Sequence, residues 1–288
     1  MDTSINQNEV KALLYLLDDE DLEVQKQVKA KISSIGEAII PFLEKEWESN
    51  MDAFNQRKIE NLIHTLQFDL LKKRLVEWKN TEQQDLLTGL WLVATYQYPD
   101  LELSKLKSML EELYYEAWLD MRDDLEPHDQ IRLLNNIIFS KLKFSGNTKN
   151  YYSPANSMIN MVLESKRGNH ISLSMVYLLI AQKLKLPIFG VNLPIIFVLT
   201  FKTTENQFYI NAFNKGIVFS KNDISNFLDQ QHLEPQPSYF EPCTSLEIIK
   251  RMLRNLIVAF EKQGETEKQN EVKELIQTIT DLDISELL

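Results

Sequence analysis

Cysteine is almost absent: Cys243 is the only one in 288 residues. No disulfide can close within the chain, and no cysteine-based metal site can form. Histidine is scarce too, with His64, His128, His170 and His232 alone, and no two lie at the spacing of a helical His pair. That excludes an HExxH-type zinc site, and no metal or cofactor is expected. No apolar run approaches the roughly 18–20 residues that span a bilayer. The longest, "MVYLLIA", meets Gln182 and Lys183, and the first residues, "MDTSINQNEV", carry no apolar signal stretch. The expectation is a soluble cytoplasmic protein without membrane association.

The chain is short of positive charge, at −11 overall. This argues against nucleic acid as a partner. Its distribution is uneven. Residues 139–221 hold ten Lys/Arg against two acids, a net +8 that leaves −19 for the remainder. Either acidic helices of the same chain dock onto a basic core, or this core shows a face to an anionic ligand or partner.

Seven glycines are few for this length, and most of the sequence reads as helix. Val10, Leu13, Leu14 and Leu17, then Val24, Val28, Ile32 and Ile35, recur at helical spacing. Asp18 to Asp21 break the first helix and cap the second, and Gly36 with Pro41 sets the entry to a third. "LLDDEDLEVQKQVKAKISSIG" resembles a HEAT-type repeat, and "FNQRKIENLIHTLQFDLLKKRLVEW" is expected to supply a second helical pair. His64, beside an apolar helix face, is expected to be a packed structural residue. Residues 79–82 break the chain before "QQDLLTGLWLVATYQYPDL", a strongly apolar helix. "ELSKLKSMLEELYYEAWLDMRDDLEP" then reads as a long acidic helix, "HDQIRLLNNIIFSKLKF" as another, and "MINMVLESKRG" as a short one closed by Gly168.

After residue 187 the period changes. "IFGVNLPIIFVLTFK" and "QFYINAFNKGIVFS" are rich in β-branched and aromatic residues and read as antiparallel strands. "DISNFLDQ" is a small helix. Thr244 and Glu247 form a capping box that opens "LEIIKRMLRNLIVAF", and a further helix across Gly264 completes a hairpin of the tetratricopeptide kind. The expected class is α+β, mostly helical. Its divisions are HEAT-like helices at 1–80, a core with a small antiparallel sheet at 81–235, and a C-terminal helical hairpin at 236–288.

A central helix feeding an antiparallel sheet is the plan of papain-like and transglutaminase-like enzymes. There a cysteine at the helix N-terminus, a strand histidine and an Asp or Asn on the next strand form the machinery. The segments "YYSPANSMINMVLESKRGNHISLSMVYLLIAQKLKLPIFGVNLP", "YINAFNKG" and "EPCTSLEIIKRMLRNL" resemble transglutaminase-like proteins of the SirB type, over about residues 86–255. The resemblance implies a transglutaminase-like core flanked by helices. Carried over position by position, it puts the cysteine at or beside His170, the strand histidine of "LPxHF" at Ile196, and the acid of "iDpF" at Asn211. It therefore implies a degenerate triad and a protein that binds rather than turns over, with an unidentified protein as partner.

Two other readings stay open. His170 and Ser174 share a helix face, with Ser172 near the helix start, so an unorthodox hydrolase or acyl-transferase site could stand there; the plainer roles are capping and packing. The N-terminal helices could serve a larger assembly. Lys166, Arg167, Asn169, His170, Ser172 and Ser174 surround a helix N-terminus, where free N–H groups favour anions, and form the candidate anion- or partner-binding set. Cys243, after Pro242, reads more readily as a packed residue than as a nucleophile.

Overall fold

The computed structural model describes residues 6–17, 19–122 and 124–280. Residues 1–74 and 75–288 form two compact units. In the first, α1 (Gln7–Leu16) and α2 (Leu22–Ile35) are each opened by a side-chain cap, Asn6 on the Glu9 N–H and Asp21 on the Glu23 N–H. Asp18 lies outside the described residues. Gly36, at positive φ, ends α2, and a 3₁₀ turn leads to α3 (Ile40–Ser49) with Pro41 in its first turn. Several apolar positions read from the spacing form the core: Val10, Leu17, Val28 and Ile32 are buried together, joined by Leu43 of α3. The segment expected to make a second helical pair is instead one helix, α4 (Ala53–Lys79). It contains no Gly or Pro to interrupt it. His64 is exposed rather than packed in the core, its ring stacked on Phe68 one turn on.

The second unit begins within α4. It continues through α5 (Leu86–Thr95), α6 (Leu103–Trp118), α7 (Pro127–Asn135) with a π turn at Asn136–Lys141, the short strand β1 (Ser145–Gly146), α8 (Ile159–Ser165), the short strand β2 (Arg167–Gly168) and α9 (His170–Lys183). Four antiparallel strands follow in sequential order: β3 (Ile188–Val191), β4 (Val198–Lys202), β5 (Gln207–Asn211) and β6 (Ile217–Phe219). Then come α10 (Lys221–Gln230), α11 (Ser245–Gln263) and α12 (Thr266–Thr278). The result is mostly helical, with a small antiparallel sheet and helices at both ends. Two boundaries differ from expectation. Helix α6 stops at Trp118, ahead of the acidic stretch. Helix α8 is closed by Lys166 in the left-handed region, not by Gly168.

Helix α9 is apolar around its whole circumference and buried from His170 to Ala181. It packs against α6, α8, β3 and β4. Alternation along the strands explains why the sheet is buried on both faces. Val191, Val198 and Tyr209 meet Ile224 and Leu228 of α10, while Leu199, Phe201, Phe208 and Ile210 point the other way and are buried too. A polar clamp fixes the turn after β5. The Tyr177 hydroxyl donates to Oδ1 of Asn135, whose Nδ2 donates to the Gly216 carbonyl. Gly216 has φ +74, and a Cβ there would lie 1.9 Å from Asn135 Oδ1, so glycine alone fits. The C-terminal hairpin is joined to α5 through the Tyr96 hydroxyl, which donates to Glu271 at 2.7 Å, with the Tyr96 ring edge-on to Phe260. Among the described residues no helix is long and apolar enough to cross a membrane.

Candidate functional site

The start of α9 is built by reciprocal capping. Asn169 accepts hydrogen bonds from the Ile171 and Ser172 N–H groups, at 3.1 and 2.9 Å. Oγ of Ser172 accepts from the Asn169 N–H at 3.0 Å. Nδ2 of Asn169 donates to Ser157 Oγ at 3.0 Å, tying the helix start to the turn before α8. The parallel bridge between β1 and β2 secures the same point from the other side. These contacts follow from residue types that favour helix N-termini, and they leave no N–H of Ile171 or Ser172 free for an anion.

The two serines that could have acted as nucleophiles are fully buried, and both hydroxyls are committed to the backbone. Ser172 belongs to the capping box, and Ser174 donates to the His170 carbonyl at 2.8 Å. The His170 imidazole bonds to neither. It is only 7% exposed, and neither ring nitrogen has a hydrogen-bond partner among the described residues. Burial, and then the nearby Arg251 guanidinium, push its pKa down to about 4, so the ring is neutral at physiological pH. It forms part of the wall of a cavity of about 170 Å³, together with Tyr151, Tyr152, Ser157, Asn169, Ile195 and Asn255. The Tyr151 ring is tilted over it, 6.5 Å between centroids. Tyr151 is held in turn by buried Asn156, whose Nδ2 donates to the Asn150 and Tyr151 carbonyls at 2.7 and 2.8 Å.

The remaining residues singled out from sequence do not converge on this cavity. Ile196 lies in a bend before β4, not on the strand, and packs into the apolar cluster of Val191, Leu193 and Tyr209. Its neighbour Ile195 takes the cavity-facing position, at φ +69, a conformation that a β-branched residue rarely adopts. Asn211 ends β5 and accepts a hydrogen bond from the Asn214 N–H, capping the next turn. Lys166 lays its ammonium over the Phe144 ring, 4.7 Å from the centroid, and partial burial lowers its pKa. Arg167 points to solvent. Cys243 is anchored through its N–H to the Gly190 carbonyl, and burial with Glu247 nearby pushes its thiol up to about 12, far from a reactive thiolate. Among the described residues no cluster of His, Cys, Asp and Glu could hold a metal ion.

Part of the positive charge of residues 139–221 is met within the chain. Lys141 reaches Glu116 of α6 and Asp120 just beyond it at 2.9 and 3.1 Å, and Lys183 pairs with Glu111.

Central helix, antiparallel sheet and flanking helices agree with a direct sequence match: residues 104–254 correspond to the transglutaminase-like superfamily. The chain belongs to that superfamily. Among curated relatives it is 28% identical over 186 residues to a UPF0162 protein of Xylella fastidiosa strain 9a5c, across 61% of this chain and 64% of the relative. The match therefore spans slightly less than two thirds of that relative's length. It is also 30% identical over 139 residues to F-box only protein 21 of Homo sapiens, covering 46% of this chain and 22% of the human protein. No solved structure matches the chain. The start of α9 carries His170, and the bend leading into β4 carries Ile195 and Ile196.

Cavity residues that sequence reasoning passed over are Tyr151, Tyr152, Ile195 and Asn255, with Arg251 beside them. The only signal was their place inside the motifs "YYSPANS" and "RMLRNL", with Ile195 inside "LPIIF".

Proposed function

We propose that this chain is a catalytically degenerate transglutaminase-like protein of the SirB type, acting as a protein-interaction or regulatory module. The observation that carries the reading is the isolation of His170. A general base must lie within hydrogen-bond reach of the group it deprotonates, and a nucleophilic pair is oriented by a third group. Here the imidazole bonds to no hydroxyl, thiol or carboxylate among the described residues. The helix-start serines already spend their hydroxyls on the backbone. The groove is used for holding, not for acyl transfer. The helices of residues 1–80, taken as HEAT-like, and the tetratricopeptide-like hairpin of residues 236–288 supply further docking surface for a protein partner in the cytoplasm. The anion- or partner-binding role first given to Lys166, Arg167, Asn169, His170, Ser172 and Ser174 contracts to the side of the helix start where His170 faces the cavity.

Intact-mass spectrometry after exposure to a serine-directed fluorophosphonate and to an activated acyl ester tests this. The expected result is no adduct and no ester turnover above the buffer rate. A stoichiometric adduct on Ser153, Ser157, Ser172 or Ser174, lost in His170→Gln, would establish the hydrolase or acyl-transferase alternative instead.

A further inference from the structure

Three groups around the His170 cavity lack a counterpart. Both ring nitrogens of His170 are buried and unbonded, and so is Nδ2 of Asn255. Arg251 stands one helical turn before Asn255 on α11, so it shares a helix face with Asn255 and Val258. It is half-buried, and no carboxylate among the described residues pairs with it; the Arg254 guanidinium repels it. Arg251 is not itself in the cavity wall, but it lies on the α11 face that carries the lining residues Asn255 and Val258, and its charge reaches His170 and Tyr151. Buried polar groups in native proteins are nearly always satisfied, and a desolvated cation without a partner is costly. Of the six buried side-chain atoms without a partner among the described residues, three, both ring nitrogens of His170 and Nδ2 of Asn255, lie on this one small cavity. Its rim carries the strained backbone of Ile195, and such strain concentrates at ligand clamps and active sites.

We propose that this cavity is a carboxylate-binding pocket, in which the Arg251 guanidinium and the Asn255 amide hold the two carboxylate oxygens and His170 supports them from the start of α9. This deepens, and rests on, the binding role proposed above. The guanidinium fork matches a planar carboxylate. One unpaired cation calls for one negative charge, whereas a phosphate dianion would leave surplus charge against Tyr151, Ile195 and Val258. The volume, about 170 Å³, falls below the roughly 300–1,000 Å³ of pockets for drug-sized ligands. The ligand is therefore a small carboxylic acid or the C-terminal residue of a polypeptide, which share this chemistry.

Titration calorimetry on the full chain tests the proposal, with N-acetylglycine as probe and N-acetylglycinamide and inorganic phosphate as comparisons. N-acetylglycine is expected to bind and the amide not to. Arg251→Gln is expected to weaken binding about ten- to a hundredfold, the range for hydrogen bonds to a charged group. Asn255→Asp puts a carboxylate inside the pocket beside Arg251. It is expected to abolish binding while raising the melting temperature, a result that misfolding cannot mimic. A longer acetylated peptide ending in a free glycine carboxylate separates the two sources: tighter binding than N-acetylglycine identifies a chain terminus, and weaker binding a free acid. Equal binding of the amide, equal binding of phosphate, unchanged affinity in Arg251→Gln, or no binding of N-acetylglycine would each overturn the proposal. Ester turnover would defeat the non-catalytic reading alone, and absent binding without turnover would defeat this inference alone.

Discussion

Gly168→Ala tests how tightly the helix start is built. The backbone at Gly168 is not in the left-handed region, so alanine is conformationally allowed. The obstacle is space: a Cβ would lie 2.4 Å from Ser172 Oγ, 3.2 Å from Val162 Cγ1 and 3.3 Å from Leu173 Cγ. Ser172 is fully buried and its Oγ is held by the Asn169 N–H, so it has little freedom to retreat. Overpacking costs about 1–3 kcal/mol, and loss of the capping interaction adds about 1 kcal/mol. For a unit of this size, a total of roughly 2–4 kcal/mol lowers the melting temperature by about 4–16 °C. Ser172→Ala removes the clashing atom and the same hydrogen bond. The double variant is thus expected to lose about 1–2 kcal/mol less than the sum of the singles, a coupling typical of residues in contact. Urea denaturation of all four proteins, followed by circular dichroism, measures this directly. Additive losses, or a neutral Gly168→Ala, would refute the capping geometry that aims His170 at the cavity.

Stability should fall as pH drops from about 6.5 to about 4. In that window the unfolded chain takes up a proton at His170 that the folded chain refuses, because the folded pKa is lowered. The loss is roughly 3 kcal/mol when complete, and denaturation curves of His170→Asn should lack that component of the slope. Asn156→Ala should cost about 2–4 kcal/mol by orphaning the Asn150 and Tyr151 carbonyls. It should also broaden the Tyr151 ring resonances as the loop loosens; unchanged stability and sharp resonances would show that the clamp is dispensable. Ile196→His should restore no ester hydrolysis, since position 196 packs with Val191 and Tyr209 and not against His170. Measurable turnover by that single variant would place residue 196 in the groove after all.

Local signals carried most of the fold. Period-3.6 spacing located α1 and α2, Asp21 capped α2 as its type suggests, and the Thr244/Glu247 capping box opens α11 with both reciprocal bonds. The failures are physical as well. Nothing in the sequence of α4 forced a break, so a predicted pair became one helix. Gly168 was read as a helix stop because glycine often serves as one, but Lys166 takes the left-handed position, and Gly168 is needed for its lack of a side chain against Ser172. The helix start with His170, Ser172 and Ser174 was legible as a motif. The cavity was not, because it joins Tyr151, His170, Ile195 and Asn255 from distant stretches of chain that only tertiary packing brings together. A one-residue offset separated Ile196 from Ile195, and the positive φ that decides which of them faces the cavity has no signature in an Ile-Ile pair.

A non-catalytic role requires His170 to be a buried, neutral imidazole tied to neither acid nor nucleophile. Its ring nitrogens can be observed by nitrogen-15 NMR across a pH titration, with His170→Gln assigning the signal. The predicted result is a neutral ring down to about pH 4, with no strongly deshielded ring N–H proton. A pKa at or above the ordinary histidine value, or a low-field proton shared with a carboxylate or hydroxyl, would contradict it and return the site to catalysis.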